Sequence, residues 1–184
     1  MVAVLGNPSY ALIVGAGNRI VSDLRQSFAV GKTSKENIAA RRSNRTRVLF
    51  VCVGNACRSP MAEAIARYDA ADVIEPSSAG LSPMGSIPEQ TKQTLILNGY
   101  TANGLSSQAL TREAAEAADI IINMTGRPME ETFGEQEKVE DWMVEDPYGD
   151  APETYQRVFE GIKRRIHQLA LGLRERRENK TTTR

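Results

Sequence analysis

The sequence lacks features on which several classes of protein depend, and each absence narrows its function. It contains no run of about 20 apolar residues, the length that a helix needs to cross a bilayer. Residues 1–10 carry no basic segment, and Gly6, Asn7 and Pro8 interrupt them before an apolar segment forms. A secretory signal needs both segments. We therefore expect a cytoplasmic protein that is neither secreted nor bound to a membrane.

Net charge is absent as well. The 23 lysines and arginines balance the 23 aspartates and glutamates, so the formal net charge is zero. A balanced chain has no overall attraction for nucleic acid or anionic lipid. We therefore expect a partner that is recognised locally, and neither nucleic acid nor a membrane surface. The sequence does not indicate an oligomeric state.

Cysteine is scarce, and its placement is informative. The two cysteines, Cys52 and Cys57, lie five positions apart in one short segment. A disulfide scaffold would spread its cysteines along the chain to close long loops. We therefore expect reduced, chemically active thiols.

The length and composition favour one compact domain with an additional arm. A chain of 184 residues that is 41% hydrophobic suits one core better than two. Residues 1–45 end in polar stretches with little periodicity, and we interpret them as an N-terminal extension that is poorly ordered or reflects a mis-assigned start. We expect the folded domain over residues 46–174 and a frayed tail over residues 175–184.

One motif inside the extension resembles a dinucleotide site. The segment Ala11–Val14 is apolar, Gly15 and Gly17 follow it, and Glu36 falls roughly where an acidic ribose ligand would lie. However, Ile20 replaces the third glycine, and no credible second strand follows. We therefore predict no cofactor, and we assign no metal ligand.

Beyond the extension, apolar strands alternate with amphipathic helices. Val48–Val53 is an apolar run typical of a parallel strand that is buried on both faces. Ser59 is a natural N-cap and Pro60 a natural first residue for the helix that follows, and Thr111 is the expected cap of a later helix. The pattern predicts further strands near 73–80, 119–124 and 138–144, and helices at 88–98, 112–118 and 152–173.

This order of elements predicts an α/β fold. We expect a single domain with an open parallel sheet of about four strands, flanked by helices. Ligands of such sheets bind at the carboxyl ends of the strands. The loop Cys52–Ser59, which follows the first strand, is expected at that edge.

The loop Cys52–Ser59, called the phosphate loop below, has the residues that an anion site needs. It leads into a helix N-terminus, whose unpaired N–H groups and partial positive charge suit a phosphate. Gly54 permits unusual backbone angles and Asn55 tolerates the left-handed region, so several amides can converge on one centre. The candidate phosphate-binding residues are Val53, Gly54, Asn55, Ala56, Cys57 and Ser59.

Two side chains of the phosphate loop supply chemistry. Arg58 offers a planar set of donors that can hold two phosphate oxygens and stabilise charge in the transition state. Cys52 ends the strand beneath the positive field of the loop, which favours the thiolate and makes it a nucleophile. Ser59 either donates a hydrogen bond to that sulfur or caps the helix, and the sequence leaves both interpretations open.

The segment Val51–Pro60 resembles the motif of the low-molecular-weight protein tyrosine phosphatases. Cysteine and arginine at C-x5-R spacing are weak evidence alone, but here they lie between a buried strand and a helix, with Gly54 and Asn55 in register. The resemblance covers about residues 47–173 and leaves 1–45 outside it. It implies a cysteine-dependent phosphatase acting on a phosphotyrosine-containing protein or a small aryl phosphate.

The resemblance also implies roles for a second segment, Asp146-Pro-Tyr148. Asp146 would protonate the leaving oxygen and then activate the water that hydrolyses the cysteinyl-phosphate. Asp141 and Asp150 are nearby alternatives for this role. Tyr148 would form a wall of the pocket against an aromatic ring.

Cys57 has two interpretations. A reversible disulfide with Cys52 would make the enzyme redox-sensitive, and the resemblance supports this reading. The alternative is a small thiol that packs beneath the phosphate loop. His167, the single histidine, is expected to be structural or exposed and is given no catalytic role.

Departures from the family pattern keep two other functions open. After Gly80 the chain reads Leu81–Gly85, without the aromatic residue that family members acting on phosphotyrosine often carry. The segment Asn123–Gly126 stands where many relatives have methionine followed by aspartate, and a tryptophan before Asp146, here Trp142, is a feature similar to the related arsenate reductases. A thiol-linked arsenate reductase is therefore one alternative. Thioredoxin-linked reductases need further cysteines, and none follows Cys57. A phosphate-binding module without turnover is the other alternative.

Overall fold

The computed structural model describes residues 45–128, 132–133 and 137–182. The predicted extension over residues 1–45 and its glycine motif lie outside the described residues, except for Arg45. The division into extension, domain and tail therefore stays a prediction. Within the described ranges, no helix combines the length and the apolar character needed to cross a membrane.

Strands and helices alternate along the chain, as the sequence predicts. In chain order the main elements are β1 (Thr46–Cys52), α1 (Arg58–Asp69), β2 (Ile74–Gly80), α2 (Glu89–Leu97), α3 (Arg112–Ala117), β3 (Ile120–Asn123), β4 (Val139–Asp141) and α4 (Pro152–Thr182).

The four strands form one parallel sheet in the order β2-β1-β3-β4. The predicted α/β fold with an open parallel sheet is therefore confirmed. β1 lies inside the sheet, between β2 and β3, so its carboxyl end is flanked by the loops that follow both neighbours. The phosphate loop begins at that end, with Cys52 as the last residue of β1.

Burial on both faces explains the apolar run of β1. Side chains alternate between the faces of a strand, and Val48 and Phe50 join the core beneath α1 and α4, whereas Leu49 and Val51 join a second core on the other face. All four are at most 1% exposed. The first core contains Met61 and Ile65 of α1 and Phe159, Ile162 and Ile166 of α4. The sheet thus holds the phosphate loop on a rigid base.

Of the two N-caps that the sequence predicts, one is confirmed and the other is wrong. Thr111 caps α3, because its side chain accepts a hydrogen bond from the Ala114 amide at 3.1 Å. The prediction that Ser59 caps α1 is wrong: the helix begins at Arg58, its N-cap is Cys57, and no side chain caps it. Ser59 therefore lies inside the first turn, where its hydroxyl is available for another contact.

The last helix is longer than predicted. α4 continues to Thr182 instead of ending near Leu173. The guanidinium of Arg174 donates to both carboxylate oxygens of Asp72, at 2.9 and 2.7 Å, and Arg177 donates to the carbonyl oxygen of Asp72 at 3.0 Å. These contacts tie the added turns to the segment that joins α1 to β2.

Candidate active site

The phosphate loop is shaped by one residue in the left-handed region and one close backbone contact. Asn55 has a φ of 44°, the only positive value among the described non-glycine residues, and asparagine tolerates this conformation better than most residues. Gly80, the last residue of β2, lies against the loop so closely that an added Cβ would be 2.7 Å from the Asn55 nitrogen and 2.8 Å from the Val53 oxygen. Glycine at position 80 is therefore required for the loop's position.

Cys52 is buried beneath the loop and has a hydroxyl partner. The residue is 2% exposed, and its Sγ lies 3.0 Å from Ser59 Oγ. The Ser59 oxygen already accepts a hydrogen bond from Asn55 Nδ2 at 2.9 Å, so its own proton can point to the sulfur. Of the two predicted roles of Ser59, the geometry favours the contact with Cys52 over helix capping.

A buried network, which the sequence did not predict, supports Asn55 from below. Asn55 Nδ2 also donates to Ser78 Oγ at 2.9 Å, and the Gln108 amide donates to Asn55 Oδ1 at 2.8 Å. Ser78 in turn donates to the buried carboxylate of Glu63 at 2.5 Å. Burial raises the pKa of Glu63, while the Ser78 hydroxyl and the charge of Arg67 oppose part of that rise. These bonds fix the one strained residue of the loop.

Arg58 is buried at the first position of α1, yet one of its donors has no partner. The residue is 4% exposed. Nη1 donates to the Met124 carbonyl at 2.8 Å, and Nη2 donates to Asp146 Oδ2 at 2.5 Å. Nε is buried and makes no hydrogen bond. A buried unsatisfied donor is costly, and a phosphate oxygen in the loop would satisfy it.

Asp146 and Tyr148 meet the phosphate loop from the segment between β4 and α4. The Asp146 side chain is 49% exposed, pairs with Arg58, and accepts a hydrogen bond from the Tyr148 amide at 3.3 Å. Of the alternatives, Asp141 is engaged elsewhere, because Asn123 Nδ2 donates to its carboxylate at 2.7 Å. Asp150 does not line the cavity of the site.

These residues line one small cavity of about 200 Å³ over the phosphate loop. Its lining contains most of the predicted site residues and two that the sequence did not indicate, Ser82 and Met84. Asn55 and Ser59 belong to the loop but do not line the cavity, because their side chains are buried and hydrogen-bonded to each other. A larger cavity of about 650 Å³ lies at the amino ends of the strands, beside Thr46 of β1 and Ile120 of β3. Its lining contains no cysteine. The residues that line the small cavity are Cys52, Val53, Gly54, Ala56, Cys57, Arg58, Ser82, Met84, Asp146 and Tyr148.

Cys57 is buried on the inner side of the loop, and both cysteines are free thiols. Its Sγ lies 3.8 Å from the hydroxyl of Tyr155 in α4. Burial raises the pKa of Cys57, and it raises the pKa of Tyr155 to about 12. The Cys57 thiol therefore stays protonated at neutral pH, and its disulfide with Cys52 remains a prediction. His167 is half exposed and contacts Asp69 at 2.8 Å, on the surface and with no part in the small cavity.

Comparison with known proteins gives the family. The sequence model described as low molecular weight phosphotyrosine protein phosphatase matches residues 47–180. The chain belongs to this family. A protein-arginine-phosphatase of Bacillus subtilis is 33% identical in an alignment 148 residues long that covers 71% of this chain and 98% of the relative. A glutaredoxin arsenate reductase of Synechocystis is 32% identical in an alignment 127 residues long that covers 67% of this chain and 95% of the relative.

Solved structures of the family share the fold. The arginine phosphatase of Geobacillus stearothermophilus superposes with a TM-score of 0.67 at 30% identity, covering 73% of this chain and 96% of that one. An arsenate reductase in a phosphate-binding state gives a TM-score of 0.63 at 29% identity, covering 70% of this chain and 98% of that one. Family membership and the cysteine-arginine loop together support a phosphatase.

Proposed function

We propose that this family member hydrolyses phosphotyrosine-type monoesters through a cysteinyl-phosphate intermediate. The observation that carries the proposal is a cavity lined by Cys52, Asp146 and Arg58, in which the Nε of Arg58 is buried and has no hydrogen-bond partner. A tetrahedral phosphate would give Nε a partner and bring its phosphorus to the sulfur. The substrate is a phosphorylated protein side chain or a small aryl phosphate, and no cofactor takes part.

In the first step the Cys52 thiolate attacks phosphorus. The S–P bond forms as the P–O bond to the leaving group breaks, and Asp146 gives its proton to the leaving oxygen. The Ser59 hydroxyl, 3.0 Å from the sulfur, stabilises the thiolate before attack and after release. Amides of the phosphate loop and Arg58 stabilise the charge that builds on the equatorial oxygens.

In the second step water attacks the cysteinyl-phosphate. Asp146, now a carboxylate, takes the proton from water as the new P–O bond forms and the S–P bond breaks. The products are inorganic phosphate and the Cys52 thiolate. Because the nucleophile must stay reduced, a reducing compartment such as the cytoplasm suits this mechanism.

The contact between Arg58 and Asp146 must change when substrate binds. Without a ligand, Nη2 of Arg58 pairs with the Asp146 carboxylate at 2.5 Å. The oxygens of a bound phosphate compete with Asp146 for the donors of Arg58. Binding of the anion thus turns the arginine to the phosphate and frees the Asp146 carboxyl to face the leaving oxygen.

The test is release of phosphate from an aryl phosphate and from a phosphotyrosine peptide. The wild-type protein should turn over both, and Cys52→Ser should abolish turnover while it still binds inorganic phosphate. Cys57→Ser is the matched control, because the buried Cys57 has no covalent step in this mechanism. Turnover that survives Cys52→Ser, or is absent from the wild type, would contradict the proposal.

The same variants separate the alternatives. Some relatives are named protein-arginine-phosphatase or arsenate reductase, so phosphoarginine and arsenate belong in the substrate panel. Preference for phosphoarginine would retain the mechanism and change the substrate class. Arsenate-dependent oxidation of an added thiol would favour a reductase. Phosphopeptide affinity with no turnover at all would indicate a binding module.

A further inference from the structure

The cavity of about 650 Å³ at the amino ends of β1 and β3, called the strand-end cavity below, is separate from the candidate active site. The linings described for the two cavities share no residue. Thr46 lines the strand-end cavity and begins β1, whereas Cys52 ends that strand, so about 20 Å of extended chain separates them. Small-molecule sites have volumes of roughly 300–1,000 Å³. The strand-end cavity is therefore large enough for a ligand of its own.

The base of the strand-end cavity is aliphatic. It is formed by Val73, Ile120 and Leu173. Val73 and Leu173 are buried, and Ile120 packs against the core beneath α1 and α4. Among the described residues, no aromatic side chain lines the cavity, so no ring is available to stack on a planar group. This base suits an aliphatic part of a ligand.

One face of α4 forms the wall of the strand-end cavity, and this face is basic. Arg176, Arg177, Lys180 and Thr181 follow Leu173 at helical spacing, so all five lie on one side of the helix. The four later residues belong to the turns that α4 adds beyond its predicted end. No carboxylate of the described chain lines the cavity. The wall therefore presents positive charge above an apolar base.

The cations near the end of α4 differ in whether they have a partner. Arg174 and Arg177 donate to Asp72. Arg176 and Lys180 have no hydrogen bond or ion pair with any residue that the structure describes. These two lie four positions apart, and like charges at that spacing destabilise a helix. Lys180 is in the last turn, where a cation offsets the helix dipole, but Arg176 precedes that turn. A bound anion would stabilise both.

We propose that the strand-end cavity binds an aliphatic diphosphate, a ligand in which an aliphatic chain carries a diphosphate group. Two unpaired cations match a group with at least two negative charges. Arg176 would hold two phosphate oxygens with parallel donors, Lys180 would bind a third oxygen, and the Thr46 hydroxyl is a further donor in the lining. The aliphatic chain would lie on the apolar base. This binding is independent of the proposed phosphatase reaction.

The test is calorimetric titration of the full chain, carrying Cys52→Ser to prevent turnover, with geranyl diphosphate and with pyrophosphate. Geranyl diphosphate should bind at least about tenfold more tightly, since burial of about two methylene groups accounts for such a factor. Arg176→Ala and Lys180→Ala should each weaken its binding about 3- to 10-fold, between the effects of exposed ion pairs and of buried charged hydrogen bonds. Both side chains are exposed and alanine favours helix, so these variants should fold.

Two controls locate the site. Arg164→Ala removes an exposed arginine of the same helix that does not line the cavity, and it should leave the affinity unchanged. Arg58→Ala removes the cation of the phosphate loop and should also leave this binding in place. Binding that is lost in Arg58→Ala but not in Arg176→Ala belongs to the phosphate loop and overturns the proposal. Equal losses in Arg164→Ala and Arg176→Ala, equal affinities for the two ligands, or no binding of geranyl diphosphate also overturn it.

Discussion

The candidate active site has a floor, formed by the phosphate loop, and walls, formed by Met84, Asp146 and Tyr148. The two parts differ in burial, and this difference indicates different roles in binding. In the floor, Cys52, Asn55, Arg58 and Ser59 are at most 4% exposed, and hydrogen bonds join Ser59 to both Cys52 and Asn55. In the walls, Met84 and Tyr148 are 46% and 55% exposed, and the side chain of Asp146 is 49% exposed. A buried, bonded floor can hold one small anion in a fixed position. In the proposed function, the half-exposed walls instead contact the group that varies between substrates.

Asp146 tests this comparison most sharply. Its side chain is as exposed as those of the walls, yet it forms an ion pair with Arg58 of the floor. Asp146→Asn should slow hydrolysis of an aryl phosphate by about 10²- to 10⁴-fold, the usual contribution of a general acid. The loss should shrink for esters with better leaving groups, which need less protonation. Initial rates on a series of substituted phenyl phosphates measure this dependence.

Asp150→Asn is the control for that experiment, because Asp150 lies in the same segment and does not line the cavity. It should keep most of the activity. If the two variants lose activity equally, the acid is not Asp146. A loss in Asp146→Asn that is independent of the leaving group would point to its pair with Arg58 as the cause.

Gly80 tests the rigidity of the floor without altering any reacting group. Gly80→Ala should cost about 1–3 kcal/mol of stability, as overpacking does, because its Cβ would be 2.7 Å from the Asn55 nitrogen. It should also reduce kcat/KM at least about tenfold, since a loop displaced by even 1 Å loses catalytic alignment. Urea unfolding and steady-state rates measure both effects.

Gly161→Ala, in the interior of α4, provides the matched glycine control. Nothing lies within 4 Å of its added Cβ, so alanine should leave activity unchanged and stabilise the helix by roughly 0.5–1 kcal/mol. Full activity in Gly80→Ala would show that the floor tolerates displacement, and the contrast between floor and walls would then lose its basis.

The floor could be predicted from the sequence because its parts are close together in the chain. The apolar run before Cys52, the pair Gly54-Asn55 and the position of Arg58 indicate strand, loop and helix within about a dozen residues. The error at Ser59 has a physical reason. Its hydroxyl contacts Cys52 instead of a helix amide, and local sequence does not distinguish these two partners.

The features that the sequence missed depend on contacts between distant segments. Met84 reaches the cavity because its amide bonds to Gly54, 30 positions earlier. The additional turns of α4 are held by Arg174 through Asp72, 102 positions earlier. Neither contact produces a periodic pattern in the sequence, so neither can be predicted before the fold is known.

Tyr148 carries the smallest expected effect and tests whether a wall acts through binding alone. Tyr148→Ala should raise KM for an aryl phosphate about 2- to 10-fold, the range expected for loss of one aromatic contact, and should change kcat less. Tyr148→Phe should retain the contact, since the ring supplies it. A fall in kcat with unchanged KM would instead mean that Tyr148 positions Asp146, whose carboxylate accepts a hydrogen bond from the Tyr148 amide, and the separation between floor and walls would fail on that side of the cavity.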